Sequence, residues 1–257
     1  MAEHRGLEVD GLSVRFGGIQ AVAGVSFSAP VGQVTGLIGP NGAGKSTTFD
    51  ACCGLAPIEA GRVRFAGVDI TRASTPARAR LGLGRTFQKM EIYDSLTVAE
   101  NVALGRAARL AGASPLRLAL ATRAERAETA DAAAWAMHTC GIEHLADHGA
   151  GNLSTGQRRL VELARALAGR FTLLLLDEAS SGLDKAETAL VGRILHRAVA
   201  EEGIGILIVE HDMDLVMDVC QHLFVLDFGR LIFDGSPAEV RASAEVRRAY
   251  LGQAAVS

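Results

Sequence analysis

The chain has 257 residues, 49% of them hydrophobic and 21% charged, the composition of a globular protein with a sizeable core. Its net charge of −3 leaves no basic excess to neutralise a phosphate backbone, which argues against a nucleic-acid binder. The four cysteines (Cys52, Cys53, Cys140 and Cys220) have no CxxC spacing and no paired histidines, so they predict neither a zinc site nor an oxidising compartment.

Alternation over 7–16 and 24–29 predicts two strands, broken by a turn at Gly17-Gly18. A buried strand, a loop and a helix follow over 33–54. That loop is Gly39-Pro40-Asn41-Gly42-Ala43-Gly44-Lys45-Ser46, which fits the phosphate-loop pattern G-x-x-x-x-G-K-[ST] with a strand before it and a helix opening at Ser46-Thr47. Glycines let successive N–H groups turn inward on phosphate oxygens, and the helix adds its positive end. Lys45 can reach the β- and γ-phosphates, and the Ser46 hydroxyl is placed to ligate Mg²⁺. The expected ligand is a nucleoside triphosphate.

Glycines around 62–65 frame another strand, Thr75-Pro76 starts a helix running to Leu81, and 84–88 reads as extended. Local clusters of arginine (Arg78, Arg80, Arg85 and Arg106, Arg109, Arg117) read as solvated helix faces. Cys52 and Cys53 read as small packing residues on the helix after the loop. From about 89 to 150 the chain turns rich in Ala, Leu, Arg and Glu, which predicts an inserted helical subdomain. Ser154-Thr155-Gly156-Gln157 is a capping-box signature for a helix that carries Val161, Ala164, Leu167 and Ala168 on one face. A serine and open N–H groups at a helix start also form an anion site.

The apolar strand at 171–176 ends in Asp177 and Glu178. In a parallel sheet that end is the ligand edge, so Asp177 is the expected metal residue and Glu178 the expected general base. Helices at 185–201 and 213–220 alternate with strands at 205–209, 223–227 and 231–233, with a turn at Gly229. The alternation predicts a largely parallel, buried sheet with helices around it. Residues 1–5 lack the apolar run of a secretory signal, and the runs at 173–176 and 206–209 are far too short to span a bilayer. The expectation is a soluble cytoplasmic chain that another protein must hold at any membrane.

The order of these elements resembles one family, the ATP-binding-cassette ATPases of membrane transporters. Gly39 to Ser46 match its Walker A loop, Gln88 its Q-loop, Leu153 to Gln157 its LSGGQ-type motif, and Leu173 to Glu178 its Walker B strand. Ser181-Gly182-Leu183-Asp184 match the D-loop and His211 the switch histidine. The resemblance implies an α/β fold, a P-loop NTPase cassette with a mainly parallel RecA-like sheet, an N-terminal antiparallel β subdomain and the inserted helices. It implies one cassette over 1–257, with 1–88 and 151–257 as the nucleotide-binding core and 89–150 as the helical insert. By the same resemblance Phe16 stacks on adenine, Gln88 senses metal and γ-phosphate, and His211 contacts the γ-phosphate. Ser154, Gly156, Gln157 and Asp184 join the nucleotide site, Ser154 and Gly156 by touching ATP on the opposing subunit, so two cassettes sandwich two nucleotides. Thr155 stands where the family motif has a glycine, so that bend must tolerate a β-branched residue, and Ala179 stands where the family has a proline; neither change removes a chemical group.

Arg15-Phe16-Gly17-Gly18, Arg85-Thr86-Phe87-Gln88, Glu210-His211-Asp212-Met213 and Ala249-Tyr250-Leu251-Gly252 resemble the cassettes of branched-chain amino acid importers. Urea and amide importers and the lipopolysaccharide-export ATPase are alternatives within the same group. The implied cofactors are ATP and Mg²⁺. The implied partners are permease subunits, a second cassette (identical or paralogous) and, indirectly, an extracytoplasmic binding protein, with the chain on the cytoplasmic face of the membrane. Non-transport cassettes of DNA repair carry a long coiled-coil or zinc insertion, and translation-associated ones carry two phosphate loops; neither feature occurs here.

Overall fold

The computed structural model describes residues 6–86, 92–111 and 121–254. Strand β1 (Gly6–Phe16) turns at Gly17-Gly18 into β2 (Ile19–Pro30), with Phe16 paired to Ile19. The second strand thus starts five residues before the alternation at 24–29 begins, because exposed Ile19 and Gln20 carry no inside–outside pattern to read. With β4 (Ala60–Phe65) and β5 (Val68–Asp69) these strands form an antiparallel sheet in the order β2-β1-β4-β5.

The second sheet holds β3 (Val34–Ile38), β6 (Leu83–Arg85), β7 (Leu173–Asp177), β8 (Gly205–Val209), β9 (His222–Asp227) and β10 (Arg230–Gly235), in the order β10-β9-β3-β8-β7-β6. All neighbours pair in parallel except β10 with β9. Every residue of β3, β7 and β8 is buried, as a sheet covered on both faces requires. Within β7, Leu174 and Leu176 face the helices while Leu173 and Leu175 face the antiparallel sheet.

The helices are α1 (Lys45–Cys53), α2 (Thr75–Leu81), α3 (Val98–Ala111), α4 (Arg123–Cys140), α5 (Thr155–Ala168), α6 (Lys185–Glu202), α7 (Met213–Val219), α8 (Pro237–Ala242) and α9 (Ala244–Ala254). Helices α3, α4 and α5 pack on one another, so α5 joins the helical layer although it lies beyond residue 150. Arg106 and Arg109 on α3 donate to the carbonyl of Gly169, and the Arg109 guanidinium lies 5.1 Å over the Phe171 ring. Arg170 stacks 4.1 Å over Trp135 of α4 and pairs with Glu202 at the end of α6. These basic side chains tie the helical layer to the sheet rather than lining a solvated face.

Arg78 corrects the sequence reading further. It is only 2% exposed, and its guanidinium donates to the carbonyls of Ala51 (2.8 Å), Cys52 (2.6 Å), Ala73 (3.0 Å) and Thr71 (3.2 Å). Two of these carbonyls belong to the last turn of α1, where the helix dipole favours a cation. The arginine therefore closes the far end of the phosphate-loop helix. Nothing in the local spacing of α2 shows that it lies beneath α1.

All four cysteines are buried, and burial pushes their thiols up, Cys53 and Cys220 to about 12. They behave as small apolar packing groups. Arg78→Met keeps much of the buried volume but none of the donors. It is expected to lower stability by about 2–4 kcal/mol, seen as a lower urea midpoint at unchanged m-value, because buried carbonyls lose their partners.

Candidate nucleotide site

Parallel pairing brings three loop segments to one sheet edge. Leu37 pairs with Val209 and Asp177 with Val209, so residues 39–46, Glu178 and residues 210–211 all leave the sheet at the same level. Gly44 is the N-cap of α1 at φ 94°, with no side-chain cap, which leaves the first helical N–H groups facing outward. A Cβ on Gly44 would lie 2.6 Å from the Ala21 carbonyl oxygen, so the close approach of loop and hairpin needs glycine. Gly229 holds this junction from the other side: its N–H donates to Ala43 O and its carbonyl accepts from Ala23 N.

Above the loop lies a cavity of about 570 Å³ lined by residues 41–47, residues 19–21, Glu178, His211 and Phe228-Gly229. Lys45 is 5% exposed, and its Nζ donates to the carbonyls of Gly39 (2.7 Å) and Pro40 (2.9 Å). Burial lowers its pKa, while Glu178 and Asp177 act to raise it. An incoming polyphosphate can therefore exchange two carbonyl acceptors for charged ones.

Asp177 ends β7 at 3% exposure. Its Oδ2 lies 3.6 Å from Arg85 Nη2, and its buried Oδ1 has no hydrogen-bond partner. Burial raises its pKa, against the pull of Arg85, and nearby Glu178 and Asp50 push the same way as burial. A buried carboxylate oxygen with no partner, within electrostatic reach of Lys45 in the phosphate loop, is a hard oxygen donor of the kind that suits Mg²⁺. Arg85, like Arg78, Arg106 and Arg109, departs from the solvated-arginine reading. Its guanidinium also pairs with Asp50 of α1 at 2.6 Å and lies 4.9 Å over the Phe49 ring, so it clamps the phosphate-loop helix to the Asp177 strand. Glu178 sits at φ 51° and its Oε1 is 3.1 Å from His211 Nε2.

Gln88 lies outside the described residues. Phe16 is 50% exposed at the end of β1 and so is not a core residue; its hairpin partner Ile19, not Phe16 itself, lines the cavity. Ser154 caps α5: its Oγ accepts from Gln157 N, and Gln157 Oε1 accepts from Ser154 N. Thr155 is already the first residue of α5 in ordinary helical conformation, so no bend there demands glycine. Gly156 is different. A Cβ there would lie 1.9 Å from Glu187 Oε1, and Glu187 is held in the cap of α6 with Asp184. None of Ser154, Gly156, Gln157 or Asp184 lines the cavity of its own chain.

Sequence reasoning missed Arg85, Asp50 and Glu210, whose partners come from distant segments, and Phe228. Phe228 is 85% exposed at φ 42° in the β9–β10 turn beside the loop. The Phe-Gly pair before β10 was its only sequence signal.

Residues 22–181 match the ABC transporter family model, and residues 230–256 match that of the branched-chain amino acid ATP-binding cassette transporter. The chain belongs to the ATP-binding-cassette transporter family. It is an ATP-hydrolysing cassette subunit, with the fold that the order of motifs implied. The cassette is 36% identical over 251 residues (96% of this chain and 98% of the relative) to the high-affinity branched-chain amino acid transport ATP-binding protein BraF of Pseudomonas aeruginosa. It is 35% identical over 247 residues (96% and 97%) to the lipopolysaccharide export system ATP-binding protein LptB of Escherichia coli K12. Its fold is similar to the ADP conformation of MJ1267, an ATP-binding cassette of an ABC transporter, with 32% identity, a TM-score of 0.81 and 96% and 98% coverage. Among the described residues, no helix is long and apolar enough to cross a membrane. A transporter cassette implies membrane permease partners.

Lys45→Ala is expected to weaken ATP binding and hydrolysis together, by about tenfold or more each, because its ammonium group meets phosphate in ground and transition states alike. Titration with a fluorescent ATP analogue beside a phosphate-release assay measures both.

Proposed function

We propose that this cassette drives an importer of branched-chain amino acids, working as a dimer with a second cassette on the cytoplasmic face of two permease subunits fed by an extracytoplasmic binding protein. The match of residues 230–256 to the branched-chain amino acid cassette model carries the substrate class, and the likeness to BraF supports it. Lipopolysaccharide export is the second reading, favoured by the nearly equal identity to LptB. Uptake of labelled leucine by cells with and without this chain separates the two. Loss of uptake supports import, and unchanged uptake with failing outer-membrane assembly supports export.

The proposed chemistry follows from the cavity. The triphosphate lies over residues 39–47, with its β- and γ-oxygens held by the loop N–H groups, the α1 dipole and Lys45. Phe16 stacks on adenine beyond Ile19 at the cavity mouth. Ser46 and Asp177, with Gln88, would hold Mg²⁺, which when bound neutralises charge on the phosphates. Glu178 takes the proton of the attacking water and His211 contacts the γ-phosphate; the two side chains face one another across 3.1 Å. Ser154, Gly156 and Gln157 start a helix that does not reach its own cavity, which supports their use on nucleotide bound to the opposing subunit, with Asp184 at the same interface. In this proposal 1–88 with 151–257 form the nucleotide-binding core and 89–150 the inserted segment, with α5 of the core segment packed into the helical layer.

Glu178→Gln is expected to keep ATP binding while turnover falls by about 100-fold or more, since an amide cannot act as the base. Near wild-type hydrolysis in the assembled transporter would remove Glu178 from that role. Ser154→Arg is expected to fold, losing a cap worth about 1 kcal/mol, and to bind ATP at its own loop, yet fail to close on a partner. If the chain self-associates, mixing it with Lys45→Ala leaves one composite site free of both lesions, so activity returns in part. Full activity from a strictly monomeric Ser154→Arg chain would sink the sandwich mechanism.

A further inference from the structure

Glu210 is a buried carboxylate that the proposed chemistry does not use. It follows the last residue of β8 at 3% exposure, in a position where burial raises its pKa and nearby Glu178 adds to the rise. Burying a carboxylate is costly unless its oxygens are well satisfied. Here Oε1 accepts from Ser180 N at 2.8 Å, while Oε2 accepts from Ser180 Oγ at 2.8 Å and from His211 N at 3.2 Å. The two donor segments are the turn after Glu178 and the loop that carries His211.

Glu178 itself holds a left-handed backbone at φ 51°, which a side-chain-bearing residue keeps only when its surroundings enforce it. Two contacts flank it: Glu178 N donates to Val209 O at 2.9 Å, and Ser181 N donates to Glu178 O at 3.1 Å. Ser180, two residues on, is 8% exposed and gives both its donors to the one carboxylate. The circuit closes through side chains, since Glu178 Oε1 meets His211 Nε2 at 3.1 Å.

We propose that Glu210 is a positioning residue, which locks the Glu178 turn and the His211 loop into one unit so that base and switch histidine keep a fixed relation to the γ-phosphate. The inference rests on the proposed roles of Glu178 and His211. Glu210 does not line the cavity, and its hydrogen bonds go to Ser180 and His211 rather than to the phosphate loop or α1, so its effect belongs in the rate of the chemical step and not in nucleotide affinity.

The test uses the full chain in the assembled transporter, with steady-state ATPase, affinity for a fluorescent ATP analogue, and thermal melting. Glu210→Gln puts an NH₂ group opposite donors, and Ser180→Ala removes only the hydroxyl bond. The expected results are kcat lower by about 10–100-fold and about 3–10-fold, respectively, with ATP affinity within about twofold of wild type. Ser180→Thr keeps the hydroxyl and is expected to recover most of the rate lost in Ser180→Ala. In a Glu178→Gln background, Glu210→Gln is expected to lower residual turnover by less than twofold, since groups acting as a unit are not additive. The proposal is overturned if kcat stays within twofold in both single variants, if affinity falls by the same factor as kcat, or if the threonine variant is as slow as the alanine one. If Glu210→Gln fails to melt cooperatively, the Ser180→Ala and Ser180→Thr pair decides alone. A Glu178→Gln protein that still turns over overturns the base assignment and this inference together. A dead Glu178→Gln with neutral Glu210 and Ser180 variants overturns only the positioning role.

Discussion

The parallel pairing of β3, β8 and β7 is the constraint on which everything else hangs. Three strands with every residue buried can run side by side only if both faces are covered, and the alternating leucines of β7 serve both coverings at once. Their common direction then delivers the phosphate loop, the acidic pair and the histidine loop to the same edge. A register slip of one residue in β7 would swap its two leucine faces and turn Asp177 away from Arg85. Core packing and site geometry are therefore set by the same hydrogen-bonded ladder.

Charge at this edge is balanced internally. Asp177 and Glu210 are buried beside the half-buried Asp50 and Glu178, and burying the first two without compensation would be costly. Arg85 bridges two of them, Lys45 feels two, and backbone and hydroxyl donors satisfy Glu210. The Asp177 oxygen left without a partner is the exception, and its carboxylate is close enough to Lys45 of the phosphate loop to raise that group's pKa. Arg78, at the opposite end of α1, applies the same physics to the helix itself: a cation where the carbonyls end, and bare N–H groups where the phosphates belong.

Legibility followed the range of the interactions. The phosphate loop, the capping box at Ser154 and the apolar strand before Asp177 are local patterns, and each sits in the structure on the predicted kind of element. Ser154 and Gln157 make the reciprocal bonds that the spacing encodes. What spacing cannot carry is contact between distant segments. Arg85 reads as one more arginine until Asp50 and Asp177 are brought beside it, and Glu210 reads as a neighbour of His211 until Ser180 arrives from 30 residues upstream. Thr155 shows the opposite case: judged by the family pattern it looks like a strained exception, yet in a helical first turn it needs no glycine. Phe228 was hidden because a turn signal says where the chain reverses, not which side chain it holds out.

The stacking of Arg170 on Trp135 gives the molecule a property of its own. The chain has 1 tryptophan, placed where helix α4 meets the loop leading into β7. Its indole is half-buried against the helical core, with a guanidinium covering one face. Tryptophan emission, excited selectively over that of the 2 tyrosines, therefore originates from one ring at the seam between helices and sheet. A motion that separates α4 from the loop carrying Arg170 would change the distance between that ring and its cation, and with it the colour of the emitted light.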